Sequence, residues 1–299
     1  MEMIERINAL KTEKKALVLA HNYQRPEVQD AADFVGDSLE LALRARKAEE
    51  EIVVMCGVDF MAETVKLLNP GKKVLFPNAD AKCPMAAQLK PKDIVEAKEE
   101  FPGASVVLYI NTHADCKALA DCCCTSANAA EIVGKMPSDV VLFGPDANLA
   151  FYVQRRTKKQ VMAIPSHGFC RVHDLIGERD VAKAKAEHPN ALLIAHPECV
   201  PAVQVMADAI CSTSGMVDFA KKSEAEEFIA ATEVGMLHRL ARENPAKRFY
   251  PALGEAVCRN MKKITLEGLL ASLEDESGEV EIPREIAAKA LPSIERMFL

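Results

Sequence analysis

The sequence is informative first for what it lacks. No stretch is long and apolar enough to span a bilayer. The opening Met1-Glu-Met-Ile-Glu-Arg6 is charged and has no apolar centre, so it does not read as a secretory signal. Basic excess is missing too. The net charge is −7 and no Lys/Arg cluster overrides it, which argues against a nucleic-acid footprint; the run from Lys11 to Lys15 reads as a solvated helix end. Among ten cysteines no C-x-x-C occurs, which argues against a zinc ribbon or a thioredoxin-like motif. Together these absences predict a cytoplasmic chain with neither a membrane nor a nucleic-acid partner. In a reducing compartment its thiols would serve metals or chemistry rather than disulfides.

What is present is a repeat. Cys83, Cys170 and Cys258 lie 87 and 88 residues apart (170 − 83 and 258 − 170), and each follows a short apolar run: Val74-Leu-Phe-Pro77, Val161-Met-Ala-Ile-Pro165 and Phe249-Tyr-Pro251. The same interval relates amphipathic segments at Ile4 to Leu10, Ile94 to Glu100 and Val181 to Glu187. It also relates compact apolar strands at Ala16 to Ala20, Val106 to Ile110 and Leu192 to Ala195. A polar or irregular stretch then leads into a helix in each copy, followed by second strands at Ile52 to Met55, Val140 to Phe143 and Phe228 to Ala231. Short apolar strands alternating with helices read as βαβ units with parallel sheets. The expected fold is therefore α/β, with three similar small domains at 1–87, 88–174 and 175–299 in a pseudo-threefold arrangement around a central cavity. The last domain would carry a helical tail from Ile264, split by Ser277-Gly278 and Pro283 and packed across the units.

The polar residues follow the same ruler. His21, Tyr109 and His196 share one register position; Tyr23, Asn111 and Glu198 share another; Ser38, Ser126 and Thr213 share a third. The first two sets fall just past the carboxyl ends of strands, where open parallel sheets place ligand groups. The third falls at expected helix N-termini, which attract anions through free backbone N–H groups. Ordinary capping would account for the hydroxyls. It does not account for hydrogen-bonding or titratable side chains at the strand ends of every copy.

Three cysteines turned toward one cavity leave two kinds of metal chemistry open. A structural zinc site wants four ligands; a catalytic zinc on three thiolates is possible but an unusual choice. Thiolates in number favour iron–sulfur chemistry, and a [4Fe–4S] cube on three cysteines leaves one iron open to substrate. Asp121-Cys-Cys-Cys-Thr125 is less suited, because consecutive side chains diverge. Cys122, Cys123 and Cys124 read instead as small buried hydrophobes; Cys56, Cys116 and Cys211 have no partner pattern, and Cys199 packs beside Glu198.

Seven segments, taken in order, resemble the quinolinate synthase family: His21-Asn-Tyr-Gln24, Gly36-Asp-Ser-Leu-Glu-Leu41, Tyr109-Ile-Asn-Thr112, Thr125-Ser-Ala-Asn-Ala129, His196-Pro-Glu-Cys199, Ser212-Thr-Ser-Gly-Met216 and Cys258-Arg-Asn-Met-Lys-Lys-Ile-Thr265. The resemblance implies an enzyme of NAD biosynthesis that condenses iminoaspartate with dihydroxyacetone phosphate to quinolinate, releasing phosphate and two waters. It implies one [4Fe–4S] cluster per chain on Cys83, Cys170 and Cys258. It also implies substrate contacts at His21, Tyr23, Ser38, Tyr109, Asn111, Ser126, His173, His196, Glu198 and Thr213, of which His173 comes from the resemblance alone. Proton transfers would fall to Glu198, His196, Tyr23 and His21, and an oxidase or dehydrogenase would supply the iminoaspartate. The chain departs from the family pattern at His113 and Cys116, and in lacking a C-x-x-C near its last cysteine ligand. The competing readings are another three-cysteine [4Fe–4S] (de)hydratase or reductive dehydroxylase, an iron–sulfur redox or iron sensor, and a zinc enzyme.

Overall fold

A computed structural model describes residues 2–298. The first unit holds strands β1 (Ala16–His21), β2 (Phe34–Gly36), β3 (Ile52–Cys56) and β4 (Lys73–Leu75). The second holds β5 (Ser105–Tyr109), β6 (Cys122–Cys124), β7 (Val140–Gly144) and β8 (Gln160–Ala163). The third holds β9 (Leu192–Ala195), β10 (Ala209–Ile210), β11 (Glu227–Ala231) and β12 (Arg248–Pro251). Each unit is one four-stranded sheet, in the orders β2-β1-β3-β4, β6-β5-β7-β8 and β10-β9-β11-β12. Every pairing is parallel, and the register repeats as well: Leu19 pairs with Met55, Val107 with Phe143, and Ile194 with Ala230.

Parallel strands covered by helices on both faces read as continuous apolar runs rather than alternating ones. Ala16-Leu-Val-Leu-Ala20 is such a run, and every residue of it is buried. In each sheet the chain moves from the first strand to one neighbour and then crosses to the other side. That reversal opens a crevice at the carboxyl ends of the strands, the place where doubly wound sheets bind ligands.

Each sheet also has an edge strand that the apolar pattern did not predict. β2, β6 and β10 are two or three residues long, and lie where an irregular stretch was expected. An aspartate just before each one fixes it. The Asp33, Asp121 and Asp208 carboxylates accept the backbone N–H of Val18, Val106 and Leu193 on the adjacent strand, at 2.8, 2.7 and 2.7 Å. The three-cysteine run is thus an edge strand, and its side chains are buried as expected of small hydrophobes.

The tail forms two helices, Leu266–Asp275 and Arg284–Glu295. The first packs on the opening helix Glu2–Glu13; the second packs on β6 and the short helix Ala114–Lys117 of the second unit. Between them the backbone doubles back along β4. Val280 N–H donates to Val74 O at 2.8 Å and Phe76 N–H to Gly278 O at 2.8 Å. Gly278 has φ +79°, and a Cβ there would run into the Phe76 carbonyl. This return therefore requires glycine.

Candidate active site

The carboxyl ends of the three sheets meet around a cavity of about 740 Å³. Every site residue expected from the sequence lines it: the three cysteines, the three register sets and His173. None of the three helix-start hydroxyls is the N-cap of its helix. Asp37 caps the helix Ser38–Arg46, accepting from Leu39 and Glu40 N–H, and Ser212 caps Thr213–Lys222, accepting from Gly215 N–H. Ser38 and Thr213 are the first helical residues, and Ser126 lies in the turn before the helix Ala129–Lys135. For Ser38 and Thr213 the capping work is done one residue earlier, which frees these hydroxyls for the cavity. Thr213 Oγ1 accepts from the buried Asn22 Nδ2 at 2.7 Å, so its own proton remains available as a donor.

His21 and His196 are held alike. The ring Nδ1 of His21 accepts Tyr23 N–H at 3.2 Å, and that of His196 accepts Glu198 N–H at 3.3 Å. An accepting Nδ1 places the proton on Nε2. In His196 that Nε2 faces Ser126 Oγ at 3.2 Å. Burial lowers both histidines to about 3, helped at His21 by the neighbouring His196; at His196 the Glu198 charge opposes the shift without reversing it. Both are therefore neutral N–H donors at pH 7.

Glu198 is the centre of the polar network. It is 4% exposed, and three side chains reach it: Tyr109 Oη donates to Oε1 at 2.6 Å, Asn111 Nδ2 to Oε1 at 3.5 Å, and His173 Nδ1 lies 2.9 Å from Oε2. Burial alone would raise its pKa. His173, then His196 and the Tyr109 hydroxyl, overcome burial and hold the carboxyl well below the usual range. From His173 the chain of contacts continues through Nε2 to Thr232 Oγ1 at 3.0 Å and on to Tyr23 Oη at 2.6 Å. Burial, and then the Glu198 charge, push both phenols well above their ordinary value, so both stay protonated. Asn111 Oδ1 is buried with no partner among the described residues. An orphaned acceptor costs about 1–3 kcal/mol, so the cavity asks for a donor there.

Sequence reasoning missed Thr232 and Asn22. Thr232 carries no repeat signal, because Val58 and Pro145 occupy its equivalent positions. Asn22 sits inside the His21-Asn-Tyr motif, where it donates to Thr213 Oγ1 and accepts from Arg239 Nη1.

Cys83, Cys170 and Cys258 are partly exposed to this cavity, whereas Cys56, Cys116, Cys122, Cys123, Cys124 and Cys199 are buried. Each of the three directly precedes or opens a tight helical turn, and a backbone N–H of that turn reaches its sulfur: Ala86 for Cys83, His173 for Cys170 and Met261 for Cys258. Such donors favour a thiolate. Burial works against them and keeps all three thiols protonated in the metal-free chain, so metal loading must release protons. The three sulfurs line one cavity yet do not all lie within 4.8 Å of one another, a spacing that fits a group larger than one ion. A second grouping is tighter: Cys170 Sγ, a His173 ring nitrogen and a Glu198 oxygen all lie within 4.8 Å of one another. That spacing would suit a single ion. The trio includes just one of the three cavity cysteines.

Comparison with known proteins agrees with this geometry. Residues 5–299 match the family described as quinolinate synthetase A protein, NadA. Relatives named quinolinate synthase include those of Pyrococcus horikoshii, 53% identical over all of this chain and 99% of the relative, and Methanocaldococcus jannaschii, 50% identical with the same coverage. That of Thermodesulfovibrio yellowstonii is 47% identical over 99% of this chain and 97% of its own length. Matched from end to end at about half identity, the chain belongs to the quinolinate synthetase A protein family.

Proposed function

We propose that this chain condenses iminoaspartate with dihydroxyacetone phosphate to form quinolinate, releasing phosphate and two waters. One carbon–carbon and one carbon–nitrogen bond close the pyridine ring. The observation that carries the reading is the continuous contact chain Tyr23–Thr232–His173–Glu198–Tyr109, built from all three units and opening onto the same cavity as the three cysteines. Ring formation needs repeated proton movement at one place. Glu198 is ionised and would accept a proton once substrate displaces the donors that hold its pKa down, with His173 and the two phenols lying on the path that would carry it.

The anionic ends of the substrates would find uncharged donors alongside Arg171 and Arg259, which line the same cavity. The Nε2–H of His21 and His196 and the hydroxyls of Ser38, Ser126 and Thr213 line the cavity, and Asn111 Oδ1 awaits a donor such as an imine N–H or a hydroxyl. Cys83, Cys170 and Cys258 would hold one [4Fe–4S] cluster, whose open iron supplies the Lewis-acid chemistry for loss of water. Aspartate must first be oxidised at its amine, so the reaction class feeding this site is an amino-acid oxidase or dehydrogenase.

Protein purified and reconstituted without air, given both substrates, should release quinolinate detectable by mass spectrometry without added reductant. A strict need for reductant, with no quinolinate, would point to reductive dehydroxylation instead. The compact Cys170–His173–Glu198 group is the one feature that favours a single ion. Metal analysis of the same sample separates the two, since about four irons with sulfide support the cluster and one zinc supports the ion.

A further inference from the structure

The cysteine loops share a feature that cysteine spacing does not reveal. Asp59, Asp146 and Glu233 follow the third-position strands β3, β7 and β11 at a constant interval of 87 residues (146 − 59 and 233 − 146). Each carboxylate is fastened to the start of its own helix: Phe60 N–H donates to Asp59 Oδ1 at 3.0 Å, Leu149 N–H to Asp146 Oδ1 at 2.7 Å, and Gly235 N–H to Glu233 Oε2 at 2.7 Å. Each also accepts the backbone N–H of a cavity cysteine. Cys83 N–H donates to Asp59 Oδ1 at 2.9 Å, Cys170 N–H to Asp146 Oδ2 at 3.2 Å, and Cys258 N–H to Glu233 Oε1 at 2.9 Å. The cysteine stands 24 residues after the carboxylate in the first two units and 25 in the third. The third is the unit in which the carboxylate is one methylene longer.

We infer that Asp59, Asp146 and Glu233 are positioning residues for the three cysteines, each pinning its cysteine loop to the carboxyl end of its sheet. The inference rests on the reading that those cysteines hold a cluster. Local bonding at a helix start alone would explain the bonds to Phe60, Leu149 and Gly235, of which the Asp146–Leu149 bond is an N-cap. It would not explain a second bond to a cysteine in every unit, nor a longer acid where the loop is longer. A rigid sheet edge is a better reference point than a loop, and groups that orient metal ligands typically change affinity 10–100-fold when altered. The carboxylates differ in what else they face. Asp59 meets His113 Nε2 at 3.1 Å and the fully buried Glu233 meets Lys262 Nζ at 2.9 Å, whereas Asp146, equally buried, takes backbone donors. His113, a departure from the family pattern, is thereby accounted for as the partner of Asp59.

Amide isosteres separate this role from a generic charge or packing effect. In Asp146 and Glu233 the helix N–H and the cysteine N–H use different oxygens, so Asp146→Asn and Glu233→Gln leave one N–H facing an NH₂ group. In Asp59 both N–H groups share Oδ1, so Asp59→Asn keeps both bonds. The measurement is iron and sulfide per chain after anaerobic reconstitution, followed by the half-life of the visible absorbance under a ferrous chelator. Circular dichroism of the same samples checks the fold. Expected is at least ~10-fold faster cluster loss in Asp146→Asn and Glu233→Gln, with Asp59→Asn within about twofold of wild type. Equal half-lives in all four proteins would overturn the inference, and so would equal loss in all three variants, which would report charge rather than bond geometry. Should Asp146→Asn fail to fold, Glu233→Gln against Asp59→Asn carries the same comparison. A wild-type chain that takes up no iron would instead overturn the cluster reading, and the inference with it.

Discussion

Replacing Glu198 by Gln removes a charge while leaving most of the geometry in place. Glutamine can keep its oxygen toward Tyr109 Oη and Asn111 Nδ2, the partners of Oε1. Its NH₂ then faces His173 Nδ1, which can accept once the ring carries its proton on Nε2, toward Thr232. No buried donor is left facing another, so the variant should fold and its cysteines should still load metal, although Cys170 Sγ lies within 4.8 Å of a Glu198 oxygen. What is lost is the one carboxylate in the contact chain, held ionised by His173, His196 and the Tyr109 hydroxyl against the cost of burial. A general base contributes roughly 10²–10⁴-fold, or about 3–5 kcal/mol of barrier at 1.36 kcal/mol per tenfold. Glu198→Gln should therefore turn over at least ~10²-fold more slowly, with unchanged iron content and unchanged binding of a dicarboxylate analogue. Single-turnover quinolinate formation under anaerobic conditions, with the analogue followed by calorimetry, measures both quantities. Turnover within about threefold of wild type, with the metal intact, would refute the base assignment and leave Tyr23 and His196 as the groups to test.

Cys83→Ser, Cys170→Ser and Cys258→Ser should each lose most iron and all activity, whereas Cys122→Ser and Cys123→Ser should keep both; full iron in any of the first three would remove that cysteine from the ligand set. His21 and His196 are lowered to about 3 in the folded chain, while an unfolded histidine titrates near 6.5, so the unfolded state binds more protons between those values and stability falls as pH drops through that window. At pH 5 the loss is about 2 kcal/mol per histidine. Comparing urea melts of wild type and His196→Asn at pH 7.5 and 5 isolates it, and parallel pH slopes would show that His196 is not buried neutral. Gly278→Ala should destabilise by about 1–3 kcal/mol through its φ of +79° and the Phe76 carbonyl, without altering metal content; an unchanged urea midpoint would mean that the return along β4 relaxes.

The three central strand pairs were legible because a parallel strand buried on both faces must be apolar throughout, and Leu17 to Ala20, Val106 to Tyr109 and Leu193 to Ala195 meet that demand. The site was legible because a repeat superimposes its positions, so polar residues at strand ends stood out against the apolar pattern. The edge strands β2, β6 and β10 were not, since two or three residues carry no periodicity. Their signal lay in Asp33, Asp121 and Asp208, which repeat but look like ordinary loop acids. Asp37 and Ser212 escaped for a related reason. A serine or threonine at a helix start invites a capping assignment, and which of two adjacent polar residues takes it is settled by backbone angle. Thr232 could not be found by spacing at all, because it breaks the repeat it sits in.

That breakage is where the proposed proton transfers would take place. One register position carries Tyr23, Asn111 and Glu198, and another carries His21, Tyr109 and His196. In the first and third units the histidine accepts the N–H two residues on; in the second a tyrosine replaces it and its hydroxyl reaches across to Glu198. A carboxylate in all three units at this register position would set like charges close together, at a Coulombic cost of several kcal/mol each at short range. A single one, buried and held by His173 and Tyr109, avoids that cost yet keeps a proton acceptor. Duplication can thus place three equivalent side chains around one cavity, but proton transfer needs an acceptor and a donor side by side. In the proposed reaction Glu198 would be the acceptor, and Tyr109 lies beside it because their units differ at neighbouring register positions.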